Sequence, residues 1–202
     1  SNGDLFDAKT KEQMYTDIYD DAMWLINLVE NLLSVSRLEE GRMNLHVSTE
    51  LIDEVVAEAL RHINRKSAVY HLNVQNSEEY LLAQIDAKLI VQVIINIVDN
   101  AIKYTPSGSE IDIGWERKGN YIYISIEDNG PGIPDQAKPH IFDMFYSASN
   151  QIADSRRSMG LGLALCKAIV NAHGGEIMVA DHLPHGSIFT FSVPAGEVEL
   201  HE

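Results

Sequence analysis

The sequence predicts an α+β fold, a two-layer α/β sandwich in which helices cover a mixed sheet, preceded by one long helix. Three observations lead to this prediction. The stretch from Lys9 to Glu40 contains neither Pro nor Gly, which is typical of an uninterrupted helix. After Gly41, helical and strand-like segments alternate along the chain. Two segments with alternating apolar residues flank Gly119-Asn120, which indicates a β-hairpin.

The long helix carries a heptad-like apolar seam. Its members recur four and three residues apart: Ile18, Ala22, Leu25, Val29, Leu32 and Ser36. The helix could pack on its own domain, or it could be one arm of a helical hairpin whose other arm is absent here. We favour the hairpin, because the helix is longer than a small globular body usually covers.

The remaining elements follow from periodicity and from the residues that end them. Further helices are predicted at Leu51–Asn64, Asp86–Tyr104 (with Asp86 as N-cap) and Gly160–His173. Strands are predicted at Arg42–Ser48, Ala68–Val74, Tyr80–Ile85, Ile111–Lys118, Tyr121–Glu127, Glu176–Ala180 and Ser187–Val193. The polar and irregular segment Ser147–Met159 is expected to act as a lid.

Composition limits the possible partners. The 202 residues include 30 acidic and 15 basic side chains, a net charge of −15. Such a chain is not expected to bind nucleic acid, which requires Lys and Arg against the phosphates. A nucleotide remains possible, since a metal ion and a few cations can meet its charge.

No apolar stretch approaches the roughly 20 residues that cross a bilayer, so a soluble chain is expected. The single cysteine, Cys166, fits a reducing compartment.

Polar side chains share one face of the predicted helix that ends at Tyr104. Asn96, Asn100 and Lys103 are spaced four and three apart on an otherwise apolar helix. A buried carboxamide without a partner costs about 1–3 kcal/mol, so something polar must lie against this face. Neighbouring loops could satisfy it. Alternatively, the amide oxygens bind a hard cation and the ammonium group meets phosphate.

A glycine-containing turn follows the second strand of the hairpin. In Asp128–Ile133, Gly130 and Gly132 would allow the backbone to approach a flat ligand closely. A carboxylate at Asp128 could then accept a hydrogen bond from an exocyclic amine. Taken alone, the motif would be interpreted as an ordinary surface turn.

A second glycine motif opens a helix. In Ser158–Leu165, Gly160 and Gly162 leave amides free at a helix N-terminus, which is an anion-binding arrangement. No strand immediately precedes the motif, so a Rossmann dinucleotide site is excluded. Between the two glycine motifs, His140–Tyr146 supplies aromatic residues that alone would be interpreted as core.

The order and spacing of these motifs resemble the catalytic domains of sensor histidine kinases. The four matching segments are the N box at Asn96–Pro106, the first glycine box at Asp128–Gly132, the F box at Phe142–Phe145 and the second glycine box at Gly160–Leu165. The resemblance covers the chain from Gly41 to Pro194. It implies the histidine-kinase/gyrase (Bergerat) ATPase fold for residues 42–202.

Upstream, the sequence from Leu28 to Glu39 resembles the end of the second dimerisation helix of these kinases, so residues 1–41 are expected to belong to the dimerisation and phosphoacceptor hairpin. Within the family, Trp24–Leu38 and Cys166–Gly175 look most like the potassium-responsive, Kdp-type sensor kinases. The resemblance implies a homodimer formed through this helix.

The resemblance also implies a role for each motif residue in binding ATP and Mg²⁺. Asn100 would be the magnesium ligand, with Asn96 supporting metal or phosphate, while Lys103 would meet phosphate. Asp128 would accept from the adenine amino group. The remaining implied ATP-site residues line the pocket or flank the phosphates: Tyr104, Gly130, Gly132, Phe145, Gly160, Leu161, Gly162 and Ser187.

Two departures from the family pattern stand out. Ser158 occupies the position of the first glycine of the second glycine box. None of the eight histidines has the setting of a phosphoacceptor, since only His201 precedes an acid and it lies at the chain end. The acceptor histidine is therefore expected upstream of Ser1, and no catalytic acceptor is expected within these residues.

By this resemblance the parent protein would be a protein-histidine kinase of a two-component system. It would phosphorylate its own histidine and pass the phosphate to an aspartate of a response regulator. The parent is expected in the bacterial inner membrane, with this chain on the cytoplasmic side. Two alternatives are another ATPase of the same fold and a degenerate sensor that binds nucleotide only to fix a conformation. The dimerisation-helix ending argues against the first, and Asn100, Lys103 and Asp128 argue against the second.

Overall fold

The computed structural model describes residues 8–39, 41, 44–63, 70–76, 80–146 and 160–197. The segment expected to act as a lid, including Ser158, lies outside these residues. The helices are α1 (Ala8–Glu39), α2 (Ile52–Ile63), α3 (Ala87–Tyr104) and α4 (Gly162–Ala172). The strands are β1 (Ser48–Leu51), β2 (His71–Asn76), β3 (Leu82–Ile85), β4 (Glu110–Lys118), β5 (Tyr121–Asp128), β6 (Ile177–Asp181) and β7 (Ser187–Pro194).

Five strands form a mixed sheet in the order β2-β4-β5-β7-β6. Strand β2 runs parallel to β4, and the other neighbours are antiparallel. The predicted hairpin is confirmed, since Lys118 pairs with Tyr121 across the turn. Strands β1 and β3 form a separate antiparallel pair. The α+β prediction with a mixed sheet is therefore confirmed.

The core lies between one face of this sheet and the helices. Strands β4 and β5 alternate buried apolar residues with more exposed polar ones, as a sheet covered on one face does. Helix α3 contributes a buried face to the same core, consisting of Ile90, Val93, Ile94, Ile97, Val98 and Ala101. Helix α3 is therefore held against the sheet along most of its length.

Both ends of α3 are fixed by hydrogen bonds. Asp86 is the N-cap, as predicted, and its carboxylate accepts from the backbone N–H of Leu89 at 3.4 Å. At the other end, the hydroxyl of Tyr70 donates to the carbonyl of Ile102 at 2.8 Å. Carbonyls of the last helical turn have no partner within the helix, so this phenol satisfies one of them.

The strand predicted at Arg42–Ser48 is wrong. Residues 44–47 have no regular structure, and β1 begins at Ser48. The reason is that the backbone N–H of His46 donates to the second carboxylate oxygen of Asp86 at 3.0 Å, so this segment binds the N-cap residue of α3 and does not extend the strand. The strand predicted at Ala68–Val74 lies slightly later, at His71–Asn76.

Helix α1 is only partly covered. Near its C-terminal end, Val35 is 1% exposed and belongs to the core. Further toward the N-terminus the seam is open, with Ile18 62%, Leu25 51% and Val29 52% exposed. Among the residues that the structure describes, no helix is both long and apolar enough to cross a membrane.

A buried histidine joins the ends of α3 and α4. The backbone N–H of Asp86 donates to Nε2 of His173 at 3.0 Å, and Nδ1 of His173 lies 2.8 Å from the carbonyl of Ile169. A carbonyl only accepts, so Nδ1 carries the proton and Nε2 is the acceptor. The neutral imidazole therefore satisfies one group on each helix.

We expect His173→Leu to lower the free energy of unfolding by about 1–3 kcal/mol, because it leaves the buried N–H of Asp86 without an acceptor. Urea denaturation would measure the loss. His62→Leu is the matched control, since the His62 side chain is 60% exposed on α2. Equal effects of the two changes would contradict the structural role of His173.

Candidate functional site

The polar face of α3 lies against the start of α4. A Cβ added to Gly162 would sit 3.9 Å from Cγ of Asn96, so the N box and the second glycine box are neighbours. Nδ2 of Asn96 is buried without a hydrogen-bond partner among the described residues. A buried polar group of this kind requires an explanation, and a ligand group is one.

The polar neighbour of Asn96 is the thiol of Cys166 on α4. Burial raises the pKa of this thiol to about 12, and interaction with the Asn96 side chain opposes that rise. The thiol is therefore protonated at neutral pH, and protonated sulfur is only a weak acceptor. Cys166 thus leaves the hydrogen-bonding capacity of Asn96 largely unused.

The N-terminus of α4 offers free backbone donors. The helix begins at Gly162, and among the described residues no side chain caps it at Leu161. Amides of a first helical turn have no partner within the helix, and the helix dipole favours an anion there. This end of the site can therefore bind a negatively charged group, with Asn96 beside it.

The first glycine turn packs against the other end of α3. A Cβ on Gly130 would lie 2.5 Å from Cγ2 of Thr105, the residue that ends α3. Its backbone N–H donates to Oδ1 of Asp128 at 2.9 Å. Glycine is therefore required at position 130 for the turn to reach the helix.

Asp128 ends β5 as a buried carboxylate, only 7% exposed. Burial raises the pKa of its carboxyl above the ordinary value, while backbone N–H bonds from Gly130 and Ser187 and the nearby His182 act to lower it. Ser187 is itself buried and pairs with Asp128 across strands β5 and β7. The result is a fixed acceptor inside the fold.

The aromatic segment meets the second glycine motif through backbone contacts. The N–H of Phe145 donates to the carbonyl of Gly160 at 3.1 Å, and both residues have positive φ. A Cβ on Gly160 would lie 2.2 Å from the carbonyl oxygen of Tyr146. Phe145 itself is largely exposed, whereas Phe142 packs edge-on against Phe189 of β7.

An open cleft of about 610 Å³ lies beside the first glycine turn. Its lining includes three predicted site residues, Lys103, Tyr104 and Gly130, together with His185. The Lys103 ammonium lies 4.9 Å from the centre of the exposed Tyr104 ring. The predicted residues deeper in the fold, including Asn96 and Asp128, are not part of this lining.

The structure thus links the four motifs through contacts between neighbouring motifs. Helix α3 runs from Asn96, beside α4, to Tyr104, beside the first glycine turn, a rise of about 12 Å along the helix. One end offers free amides for an anion, and the other offers a carboxylate acceptor. Within the described part of the chain no cluster of three His, Cys, Asp or Glu side chains could hold a metal ion.

Two histidines next to this surface were missed by the sequence interpretation. Nδ1 of His182 lies 2.9 Å from the carbonyl of Asp128, and Nδ1 of His185 lies 3.2 Å from that of Gly130. Their partners are backbone atoms 54 and 55 residues away. A single sequence carries no periodic or local signal for such contacts.

Comparison with known proteins gives a consistent result. Residues 85–197 match the family described as histidine kinase-, DNA gyrase B-, and HSP90-like ATPase. The sensor protein KdpD of Clostridium acetobutylicum is 42% identical over 193 residues, covering 96% of this chain and 21% of that protein. KdpD of Escherichia coli K12 is 35% identical over 179 residues, covering 87% and 20%. The chain therefore spans about a fifth of these relatives.

Among solved structures, the histidine kinase ThkA in complex with the response regulator TrrA is similar to this chain. The TM-score is 0.76 at 25% sequence identity, covering 96% of this chain and 54% of that one. The similarity includes α1 as well as the α/β body, since the body alone would not cover so much of the chain.

We expect Gly160→Ala to lower the melting temperature more than Gly119→Ala. The two glycines have nearly equal φ, +64° and +63°, so an alanine meets the same backbone strain at both. Only at Gly160 does the added Cβ collide with backbone, that of Tyr146. Calorimetry of both variants isolates the collision, and equal shifts would show that the segments are not in contact.

Proposed function

The chain belongs to the histidine kinase-, DNA gyrase B-, and HSP90-like ATPase family, and on that premise we propose that its site binds ATP between α3, the first glycine turn and the start of α4. The adenine amino group would donate to Asp128. The phosphates would meet the free amides of α4, with Lys103 supplying positive charge. The observation that carries this proposal is the buried carboxylate of Asp128 held beside Gly130.

The other predicted site residues support the same orientation. Tyr104 borders the cleft beside Gly130, where a base would enter, and Ser187 holds the Asp128 carboxylate through its backbone N–H. At the phosphate end, Gly160, Leu161 and Gly162 lead into α4. The exposed Phe145 ring and the backbone at Gly132, which lies close to Gly186, would border the ligand.

Magnesium is proposed as the partner of the nucleotide. Asn100 would supply an amide oxygen, and Asn96 would support the metal through its own amide oxygen or a phosphate oxygen through Nδ2, which has no hydrogen-bond partner among the described residues. Hard cations prefer oxygen ligands, and Mg²⁺ in nucleotide sites commonly combines one or two protein groups with phosphate oxygens and water. The ion would neutralise phosphate charge in a chain that is itself strongly acidic.

We propose that the whole protein is a sensor kinase that phosphorylates a histidine upstream of Ser1 and passes the phosphate to an aspartate of a response regulator. Support comes from the KdpD relatives and from ThkA, which has been crystallised with a response regulator. The enzyme's contribution to such a transfer is mostly positioning and charge neutralisation. Attachment of the parent to the bacterial inner membrane, with this chain on the cytoplasmic side, rests on the resemblance to Kdp-type kinases.

Residues 1–41 are proposed to form half of a dimerisation hairpin, and residues 42–202 the catalytic domain. The apolar seam of α1 supports a homodimer, because Ile18, Leu25 and Val29 are about half exposed or more. Contiguous exposed apolar surface commonly marks an interaction site. A symmetric pair of helices would cover it.

We expect Asp128→Asn to weaken ATP binding about thirtyfold, because an amide nitrogen replaces an acceptor of the adenine amino group, a loss of about 2 kcal/mol. Wild type should prefer ATP to GTP, and the variant should lose this preference. Calorimetry with and without Mg²⁺ would measure both.

The control for this experiment is Asp112→Asn, a carboxylate on the adjacent strand that binds Asn73 and Gln75 outside the site. Its affinity for ATP should match wild type. Equal binding of ATP and GTP by the wild-type chain would overturn the assignment of the base end.

We expect the double change Leu25→Glu and Val29→Glu to make the chain monomeric while leaving ATP affinity within about twofold, because charges replace exposed apolar groups that are not among the proposed ATP-site residues. Sedimentation would measure the association. The control, Gln13→Glu with Thr16→Glu, adds acidic groups at two other exposed positions of α1. A wild-type chain that stays monomeric at high concentration would contradict the dimer.

A further inference from the structure

The loop between β6 and β7 contacts the first glycine turn through His182, His185 and Gly186. We name residues 181–186 the β6–β7 loop and residues 128–132 the glycine turn. A Cβ on Gly186 would lie 1.9 Å from the carbonyl oxygen of Asp128, and one on Gly132 would lie 3.1 Å from the carbonyl oxygen of Gly186. The two segments are therefore in backbone-to-backbone contact, which only glycine permits at these positions.

His182 fixes the peptide group that follows Asp128. Its Nδ1 donates to the carbonyl of Asp128 at 2.9 Å, while the N–H of the same peptide, on Asn129, donates to the carbonyl of Glu110 at 3.4 Å. The side-chain oxygen of Asn129 in turn accepts from the N–H of Glu110 at 3.0 Å. Both ends of this peptide plane are thus held, which fixes the backbone at Asp128, while the N–H of Gly130 holds the carboxylate itself.

His185 holds the peptide group that follows Gly130 in the same way. Its Nδ1 donates to the carbonyl of Gly130 at 3.2 Å, on a peptide whose nitrogen belongs to Pro131 and has no proton to donate. The imidazole is therefore the polar contact of that peptide group. Since the N–H of Gly130 binds the Asp128 carboxylate, fixing Gly130 also fixes the acceptor.

The β6–β7 loop is itself anchored at its start and closed at its end. The ammonium group of Lys138 donates to Asp181 at 2.7 Å and to Asp135 at 2.6 Å, and its side chain is only 19% exposed. The N–H of His182 donates to the carbonyl of Gly186 at 3.1 Å, which closes the loop. A carboxylate oxygen of Glu127, on β5, lies 3.9 Å from Nε2 of His182.

We propose that His182 and His185 are positioning residues of the nucleotide site, which hold the glycine turn so that Asp128 can select a base with an exocyclic amine. The proposal rests on the function proposed above. His185 also lines the cleft where a base would enter, but the role proposed here requires neither imidazole to touch the nucleotide. The two Nδ1 donors act through backbone carbonyls, so what they control is the placement of the acceptor and hence the discrimination between bases.

The test compares side chains that keep or lose a donor at the Nδ1 position. Asn carries its amide nitrogen near the position of Nδ1, whereas Gln carries it near Nε2 and Leu has no donor. Each histidine is changed to Asn, Gln and Leu in the 202-residue chain. Binding of ATP and of purine riboside triphosphate, which lacks the amino group, is measured by calorimetry.

We expect the Leu and Gln variants to bind ATP about tenfold more weakly and the Asn variants to stay within about threefold of wild type. Affinity for purine riboside triphosphate should change less than twofold, because that ligand makes no bond to Asp128. The ratio of the two affinities is the decisive readout, since a general loss of stability would weaken both ligands alike. His62→Leu, at an exposed position of α2, should leave the ratio unchanged.

An unchanged ratio in folded Leu and Gln variants would overturn the positioning role, as would a failure of Asn to retain it. If the Leu variants do not fold, the comparison of Asn with Gln decides the question alone. A wild-type chain that does not distinguish the two ligands would instead refute the base assignment of Asp128, and with it both proposals.

Discussion

The fixed position of helix α3 on the sheet is the constraint on which the rest of the structure depends. Its apolar face is buried against the sheet, and hydrogen bonds from His46 to Asp86 and from Tyr70 to Ile102 hold its two ends. The opposite, polar face can therefore neither turn away nor sink into the core. The first glycine turn packs against one end of this face and α4 against the other, so both glycine motifs take their places from α3.

The sequence predicted the elements whose signals are local. Helix α3 with its cap at Asp86 and the hairpin around Gly119-Asn120 needed only periodicity, capping and turn chemistry. The parallel pairing of β2 with β4 could not be predicted, since it depends on which distant strand lies alongside. The strand expected at Arg42–Ser48 was wrong because the N–H of His46 binds Asp86, a contact between residues 40 positions apart.

The candidate site likewise has one set of residues that the sequence predicted and another that it did not. Family motifs identified the residues expected to touch a ligand, and the structure brings Asn96 next to Gly162 and Gly130 next to the end of α3. The second layer of the site was not predictable, since His182 and His185 act on backbone carbonyls that have no side-chain identity to recognise. Two site groups also carry an energetic cost without a ligand: among the described residues Nδ2 of Asn96 has no hydrogen-bond partner, and burial raises the pKa of the Asp128 carboxyl. Local conflicts of this kind are characteristic of functional sites.

The buried thiol of Cys166 allows the packing of α3 against α4 to be followed by chemical labelling. It is the only cysteine in the chain, it is fully buried, and its pKa of about 12 keeps it protonated and unreactive. An alkylating reagent can modify it only when α4 separates from α3 far enough to expose sulfur. The labelling rate therefore reports the free energy of that separation without any introduced probe. A ligand bridging the two helices would slow the labelling in proportion to the affinity with which it holds them together.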